Sequence, residues 1–212
     1  MRTRELISLA LTALLTVGGS AGGQSTRLTV GPESKLWVEG GSNLHDWSCK
    51  ASSVDAAVEV DDAFFKTKAV SATSLKRVQV KVPVRNLKCG NGKMDNNLYK
   101  ALKADDAPEI SYSLATFDVV PGATTDSFTV KAVGALTIAG TEKTLTMDVA
   151  AARLPDGSIR AEGALPLLMT DFGVKPPTAL LGTLRTDNKI TVKFSLFVGP
   201  QALSAALAGE PR

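Results

Sequence analysis

Hydrophobic and polar residues alternate most regularly between Val130 and Val149. Every second position in the first half of this stretch is apolar or small, and the alternation resumes after the sequence Ala139-Gly140-Thr141. Because a strand points successive side chains to opposite faces, the pattern predicts a β-hairpin with one apolar face. A hairpin cannot bury such a face by itself, so other strands must pack with it.

The same alternation recurs along most of the chain. It predicts further strands at residues 34–40, 47–60, 75–87, 109–119, 159–165 and 190–198. Residues 91–103 instead place Met94, Leu98 and Leu102 four apart, which predicts a short amphipathic helix. Residues 170–187 contain two consecutive prolines and are predicted to form a long connection.

About eight strands, one short helix and no βαβ spacing predict an all-β fold with an antiparallel sheet that closes on itself. An eight-stranded barrel has an interior that can be filled by side chains or can hold one small ligand. Periodicity does not distinguish a packed interior from a cavity, so both interpretations stand at this point.

The termini have a different character from the middle of the chain. Residues 1–25 contain a basic start, an apolar run from Leu6 to Val17 and small residues after it, which predicts a secretory signal peptide. An uncleaved N-terminal anchor is the alternative. Residues 26–200 would form the barrel domain, and residues 201–212 an Ala-rich flexible tail. Beyond the N-terminal segment, no apolar stretch is long enough to predict a transmembrane helix.

Composition adds two constraints. The 212 residues are 44% hydrophobic and 21% charged, which is typical of a globular domain with a full core. The formal net charge is +3 and like charges are not clustered, so the sequence gives no support to nucleic-acid binding.

The two cysteines, Cys49 and Cys89, are an even number in a chain predicted to be exported. An oxidising compartment favours a disulfide between them, and two separate buried thiols are the alternative. The long loop that this bond would close corresponds to about 4 kcal/mol of stabilisation in the chain-entropy model.

His45 is the only histidine and the first candidate for chemistry. A catalytic triad needs a separate acid and a nucleophile beside the imidazole, and adjacent Asp46 would point away on a strand. A zinc site from His45, Cys49 and Cys89 would require reduced thiols, which export disfavours. A hydrogen-bonded structural histidine near a barrel mouth is therefore favoured, and we predict no catalytic residues, metal or cofactor.

Four stretches of the sequence carry motifs of a known family. The run GALTIAGTEKTLTMDV is similar to the hairpin LTIxGxTKxVxLxV of the YceI-like family of secreted bacterial lipid-binding proteins, although Ala139 stands where His is frequent and Glu142 precedes the lysine. The segment beginning VPVRNLKCG resembles the family's strand–helix–strand unit, and the runs GGSNLHDWSCKA and LLMTDFGVKPP resemble one of its subgroups. The strand–helix–strand positions are matched by Leu102, Lys103, Pro108 and Ile110. The cysteine pair is a departure, since many members lack it.

This resemblance implies an eight-stranded antiparallel, lipocalin-like β-barrel with one short helix. It also implies a periplasmic or secreted location, a bound long-chain isoprenoid or other amphiphilic lipid, and pairing into homodimers. The function expected is carriage or sequestration of that lipid. An accessory protein or enzyme of lipid or isoprenoid-quinone metabolism is one alternative, and a structural secreted barrel with a filled core is the other.

The residues expected to contact a lipid follow from the apolar faces of the strands. Small residues on these faces are expected to leave room for the ligand, and the loop at 170–187 is expected to border one mouth. His45 and Asp171 are the candidates for polar contact near that mouth. The predicted apolar lining is Val130, Ala132, Leu136, Ile138, Leu145, Met147 and Phe194.

Overall fold

The structure, a computed structural model, describes residues 25–61, 64, 75–179 and 182–200. The predicted signal segment, except for Ser25, and the predicted tail lie outside these residues. The described strands are β1 (Ser25–Val30), β2 (Lys35–Ser42), β3 (Trp47–Ala51), β4 (Asp55–Asp61), β5 (Leu75–Pro83), β6 (Leu87–Lys88), β7 (Glu109–Pro121), β8 (Ser127–Ile138), β9 (Thr141–Arg153), β10 (Ile159–Leu168), β11 (Thr178–Ala179) and β12 (Leu184–Pro200). The helix α1 spans Gly92–Ala101.

These strands form a closed antiparallel barrel. The hydrogen-bonded order is β1, β4, β5, β7, β8, β9, β10 and β12, and β12 pairs back with β1. Closure pairs both edges of every strand in the ring, so the apolar faces turn inward around one interior. The prediction of an eight-stranded antiparallel barrel with one helix is confirmed.

The remaining strands extend members of this ring. β1 pairs with β4, as at Leu28–Val58, and β2 pairs with β3, as at Trp37–Lys50. The two antiparallel registers are almost continuous with each other. β1 and β2 are therefore two parts of one bent strand that lies beside β4 and β3. β6 continues β5 and pairs with β3, whereas β11 is a short addition to β12.

The central hairpin has a two-residue turn. Ile138 pairs directly with Thr141, which leaves only Ala139 and Gly140 in the loop. Both residues have positive φ, 51° and 78° respectively. Positive φ at both central positions fits the right-handed twist of the two strands, and β8 and β9 run side by side for twelve residue pairs as a result.

Two strands predicted as continuous are interrupted at the same level of the barrel. The stretch at 47–60 divides into β3 and β4, and β5 ends at Pro83 before the short 3₁₀ turn Val84–Asn86. Ser52 donates both its backbone N–H and its hydroxyl to the Asn86 carbonyl. Pro83 has no backbone N–H to donate, so the hydrogen bonding with the neighbouring strand is broken beside it. The strand beside β5 is therefore interrupted at this level and divides into β3 and β4.

The first strand and the late connection also differ from the sequence-based expectation. β1 begins at Ser25, the last residue assigned to the signal segment, and buries Leu28 in the core. The connection predicted at 170–187 is shorter than expected, because a 3₁₀ turn occupies Met169–Phe172 and β12 already begins at Leu184.

Helix α1 lies over the barrel end at which β2 finishes and β3 begins, which we call the helix end. Asn91 caps the helix by accepting hydrogen bonds from the N–H groups of Lys93 and Met94. Tyr99 anchors it, since its hydroxyl accepts from Lys88 Nζ at 2.7 Å and reaches the carbonyl oxygens of Arg85 and Leu87 at 3.0 Å. The hydrogen bond that Lys88 donates to Tyr99 is the main cause of the raised pKa of Lys88.

A disulfide bond adds a covalent anchor just before this helix. Cys49 on β3 and Cys89 after β6 are joined, with their Cα atoms 4.0 Å apart. This confirms the predicted pairing.

Candidate functional site

The barrel encloses an elongated apolar cavity of about 400 Å³. Its wall is made by the inward positions of the strands, and side chains of α1 and of the segment after β10 contribute at the helix end. Among its described lining residues there is no Asp, Glu, Lys or Arg. Periodicity alone left a packed interior and a cavity both open, whereas the family resemblance implied a bound lipid, and the structure shows a cavity.

Most of the residues predicted to contact a lipid face this cavity. The lining includes Val130, Ala132, Leu136, Ile138, Met147, Phe194 and His45. The placement follows from strand alternation, because β8 buries every second residue from Val130 to Ile138.

Two predicted residues are placed differently. Leu145 faces inward but packs against the core cluster near the helix end and does not line the cavity. Asp171 lies in the 3₁₀ turn after β10 with its side chain exposed, while Met169 and Phe172 in the same turn are buried. A tight turn has few inward positions, and the two apolar side chains occupy them.

The polar lining residues are concentrated at the helix end, on the turn after β2, on α1, and on β11 and early β12. They are Ser42, His45, Asn97, Thr178 and Thr186, and we call this set the polar rim. None of them is an Asp, Glu, Lys or Arg. The expectation that the connection at 170–187 borders the mouth agrees with the position of Thr178 and Thr186.

The geometry of His45 is that of a turn residue. Its ring Nδ1 is 3.4 Å from Ser42 Oγ, which is long for a hydrogen bond between these groups. The Ser42 hydroxyl donates instead to the His45 carbonyl at 2.7 Å and accepts from the His45 N–H at 3.1 Å. The serine proton is therefore directed at the backbone, and this closes the turn between β2 and β3.

The opposite end of the barrel is apolar. Leu28, Val60, Phe64, Ile159 and Val198 form a buried cluster there. These residues also line the cavity. The cavity therefore has a polar rim at one end and an apolar end at the other.

Two glycines in the wall lie directly beneath aromatic rings. A methyl group built on Gly134 would be 2.5 Å from the Tyr112 hydroxyl, and one built on Gly163 would overlap the Phe194 ring. The sequence suggested that small residues leave empty volume in the lining. The volume beside these glycines is instead occupied by an aromatic ring from the neighbouring strand, so the rings lie along the wall.

The Tyr112 hydroxyl is the exception to the apolar character of the deeper wall. Within the described part of the chain it is the one buried side-chain polar atom without a hydrogen-bond partner. Burial in apolar surroundings raises the pKa of the Tyr112 phenol, because the phenolate would lose its hydration. Tyr112 therefore remains a neutral hydrogen-bonding group at physiological pH.

Sequence patterns did not assign several lining residues to the cavity. The helical spacing predicts that Met94, Leu98 and Leu102 face the sheet; in the structure Met94 and Leu98 lie on α1, Leu102 directly follows it, and all three also line the cavity. Tyr112 belongs to the alternating pattern of β7, and that pattern was sufficient to identify it as an inward-facing residue. Its missing partner depends on the neighbouring strands and has no signature in the sequence.

The described residues contain neither a candidate metal site nor a helix suited to crossing a membrane. Residues 25–61, 64, 75–179 and 182–200 contain no group of three or more His, Cys, Asp or Glu side chains that could hold a metal ion. None of the helices in these same ranges has both the length and the apolar composition that crossing a bilayer requires.

Three solved structures have a similar fold. BcnA of Burkholderia cenocepacia is 19% identical with a TM-score of 0.58, and the alignment covers 78% of this chain and 96% of that one. A polyisoprenoid-binding domain from Saccharophagus degradans, implicated in plant cell wall breakdown, is 11% identical with a TM-score of 0.62 over 82% and 99% of the two chains. The YceI protein of Campylobacter jejuni is 16% identical with a TM-score of 0.51 over 93% and 97%.

Comparison at the level of sequence identifies the family. A search of curated protein sequences gives no match. The family model described as the YceI-like domain, however, matches residues 35–198, which is most of the chain and nearly all of the barrel. The motifs and the fold agree with this match, and the chain belongs to the YceI-like family.

Proposed function

We propose that this protein binds a long-chain isoprenoid or another amphiphilic lipid inside the barrel, as a carrier or to sequester it. The observation that carries the proposal is the cavity of about 400 Å³ inside the barrel, with an apolar wall and a polar rim at one end. Small-molecule sites in proteins have this order of volume and this combination of apolar walls with few polar groups. The polyisoprenoid-binding domain with a similar fold supports the same ligand class.

The physical basis of binding is the transfer of an alkyl or prenyl chain from water into the cavity. Each buried CH₂ group contributes about 0.8 kcal/mol, so ten of them contribute about 8 kcal/mol. Loss of translational and rotational freedom opposes this gain by an estimated 4 kcal/mol or more. The chain must therefore be long to bind tightly, and the elongated cavity suits such a chain.

The distribution of polarity orients the ligand. The hydrocarbon chain would extend toward the apolar cluster around Val60 and Phe64, where no polar side chain lines the wall. The polar end of the lipid would remain at the polar rim, where hydroxyl, amide and imidazole groups are available. Entry and exit would then occur at the helix end.

We place this function outside the cytoplasm, in the periplasm or in the secreted fraction. The disulfide between Cys49 and Cys89 supports an oxidising compartment, because such bonds are rare in reducing ones. The predicted signal segment at residues 1–25 is consistent with this location.

The proposed role is binding without catalysis. His45 lacks the arrangement that activates a nucleophile, since the neighbouring Ser42 hydroxyl donates to a backbone carbonyl and not to the imidazole. His45 is therefore assigned to the polar rim as a hydrogen-bonding group.

The test compares two Ala→Trp variants on strand β8. Ala132→Trp places an indole in the cavity, whereas Ala135→Trp places the same group outside it, opposite Ser113 and Thr144. Purified protein would be incubated with geranylgeraniol and examined by native mass spectrometry. We expect one lipid per wild-type chain and per Ala135→Trp chain, and at least tenfold less in Ala132→Trp.

Folding of each variant would be checked by circular dichroism and thermal denaturation. A folded Ala132→Trp variant that retains full lipid binding would contradict the proposed site. Wild-type protein that binds neither isoprenoid nor fatty-chain lipids would contradict the proposed function.

A further inference from the structure

The Tyr112 hydroxyl is a polar group in a place where packing alone does not require one. Tyr112 is 9% exposed, lies on the cavity wall, and leaves its hydroxyl without a hydrogen-bond partner. Its ladder neighbours on either side are Val80 and Leu136, which offer no polar side chain. Phenylalanine would fill the same space without burying an unsatisfied hydroxyl.

The other tyrosine of the chain shows what a structural hydroxyl looks like in this protein. Tyr99 Oη has one donor, Lys88 Nζ, and two carbonyl oxygens within hydrogen-bond distance, those of Arg85 and Leu87. These bonds attach α1 to the barrel. Tyr112 has no equivalent set of partners, so its hydroxyl contributes nothing of this kind to the fold.

The position of the hydroxyl is set by Gly134. The Tyr112 ring leans over this glycine, and a methyl group there would be only 2.5 Å from the hydroxyl. No hydrogen bond holds the hydroxyl beside Gly134, so turning it toward the lumen breaks none. Tyr112 is three residues from the start of β7, which is about 10 Å along the strand from the helix end.

We infer that Tyr112 is a ligand-contacting residue that hydrogen-bonds an uncharged oxygen of the lipid inside the barrel. A hydroxyl or carbonyl oxygen carried on the chain, or on a head group that enters the cavity, has the required chemistry. This inference rests on the proposed function and adds to it a preference among lipids.

Charge determines which polar groups this position accepts. No Lys or Arg lines the described part of the cavity, so a phosphate or carboxylate at the depth of Tyr112 would be buried without a counter-charge. An anionic head group must therefore stay at the polar rim or outside it. The raised pKa of the Tyr112 phenol is consistent with the same absence of cations.

The experiment measures dissociation constants of wild type and Tyr112→Phe for three C20 isoprenoids, using the fluorescence of Trp47, which lines the cavity. The ligands are geranylgeraniol, the matching hydrocarbon without oxygen, and geranylgeranyl phosphate. We expect Tyr112→Phe to weaken geranylgeraniol binding about fivefold, the loss of one neutral hydrogen bond. Binding of the hydrocarbon and of the phosphate is expected to change less than twofold.

Tyr99→Phe is the matched control because it removes the same atom from the other tyrosine. It is expected to lower the melting temperature by several degrees and to leave the preference among the three ligands unchanged. Tyr112→Phe is expected to melt at or above the wild-type temperature, since its hydroxyl has no partner to lose.

Several results would overturn the inference. An unchanged geranylgeraniol affinity in Tyr112→Phe would do so, as would an equal loss for all three ligands, which would indicate packing. Failure of Tyr112→Phe to fold would show a structural partner for the hydroxyl. Wild-type protein that binds none of the ligands would overturn the proposed function together with this inference, whereas the other results leave the proposed function intact.

Discussion

At the residue scale, the width of the cavity depends on glycines that face aromatic rings. Phe194 lies along the wall because Gly163, its ladder partner on β10, has no side chain to displace it. Tyr112 lies over Gly134 in the same way, but a methyl group on Gly134 would also be 2.5 Å from the backbone carbonyl of Ser113. A ring can rotate away from a new methyl group, whereas a ladder carbonyl cannot move without its strand.

The two glycines therefore predict opposite results for the same substitution. Gly163→Ala should fold and turn Phe194 toward the lumen, lowering the affinity for a C20 isoprenoid several-fold. Gly134→Ala should lower the free energy of unfolding by about 1–3 kcal/mol, because the β7–β8 ladder must shift. Chemical denaturation and lipid titration of both variants test this. Equal stability of the two variants would show that the backbone contact at Gly134 is not limiting.

At the scale of elements, α1 serves both as packing and as part of the cavity wall. Leu102 is buried, and the half-buried Met94 and Leu98 contribute to the lining at the helix end. The hydrogen bonds of Tyr99 and the Asn91 cap fix the helix in this position. A polar substitution on the inward stripe should therefore disturb stability and the cavity together.

Leu98→Asp tests this double role. The substitution places an unpaired carboxylate against the cavity, and we expect the free energy of unfolding to fall by about 2 kcal/mol with weaker lipid binding. Asn96→Asp adds the same charge at an exposed position of α1 and should leave both quantities nearly unchanged. An unchanged denaturation midpoint for Leu98→Asp would mean that the apolar stripe of the helix is not buried in solution.

At the scale of the whole molecule, the disulfide connects the barrel wall to the segment that leads into α1. Cys49 is 1% exposed and both cysteines line the cavity near the helix end. The bond spans 40 residues of sequence, which include β4, β5 and β6. The bond therefore restricts the conformations of the unfolded chain. In the folded protein it fixes the segment that leads into α1 to the barrel wall.

Replacement of both cysteines by alanine should lower the free energy of unfolding by about 4 kcal/mol, the chain-entropy value for a loop of this length. Reducing agent should destabilise the wild-type protein to a similar extent and have no effect on the double variant. Two thiols reacting with a labelling reagent in denatured, unreduced wild-type protein would contradict the bond. Hydrogen exchange would report whether α1 loses protection before the β8–β9 hairpin does.

The sequence by itself determined the class of fold and the inward faces of most strands. Alternation with period two assigns each side chain of β8 to the inside or the outside, so the pattern alone is enough to place Val130 and Ala132. The four-residue spacing of apolar residues is a local signal that predicted the helix α1. The even cysteine count is a compositional signal that predicted the disulfide. Both predictions are confirmed.

Only the tertiary structure decided what the inward faces enclose. Alternation is the same for a packed interior and for a cavity, because the difference depends on distances across the barrel between residues far apart in sequence. The break between β3 and β4 follows from Pro83 on the neighbouring strand, and Met169 and Phe172, not Asp171, take the inward positions of the turn after β10. The unpartnered hydroxyl of Tyr112 likewise depends on which side chains of β5 and β8 surround it, and local sequence carries no record of those neighbours.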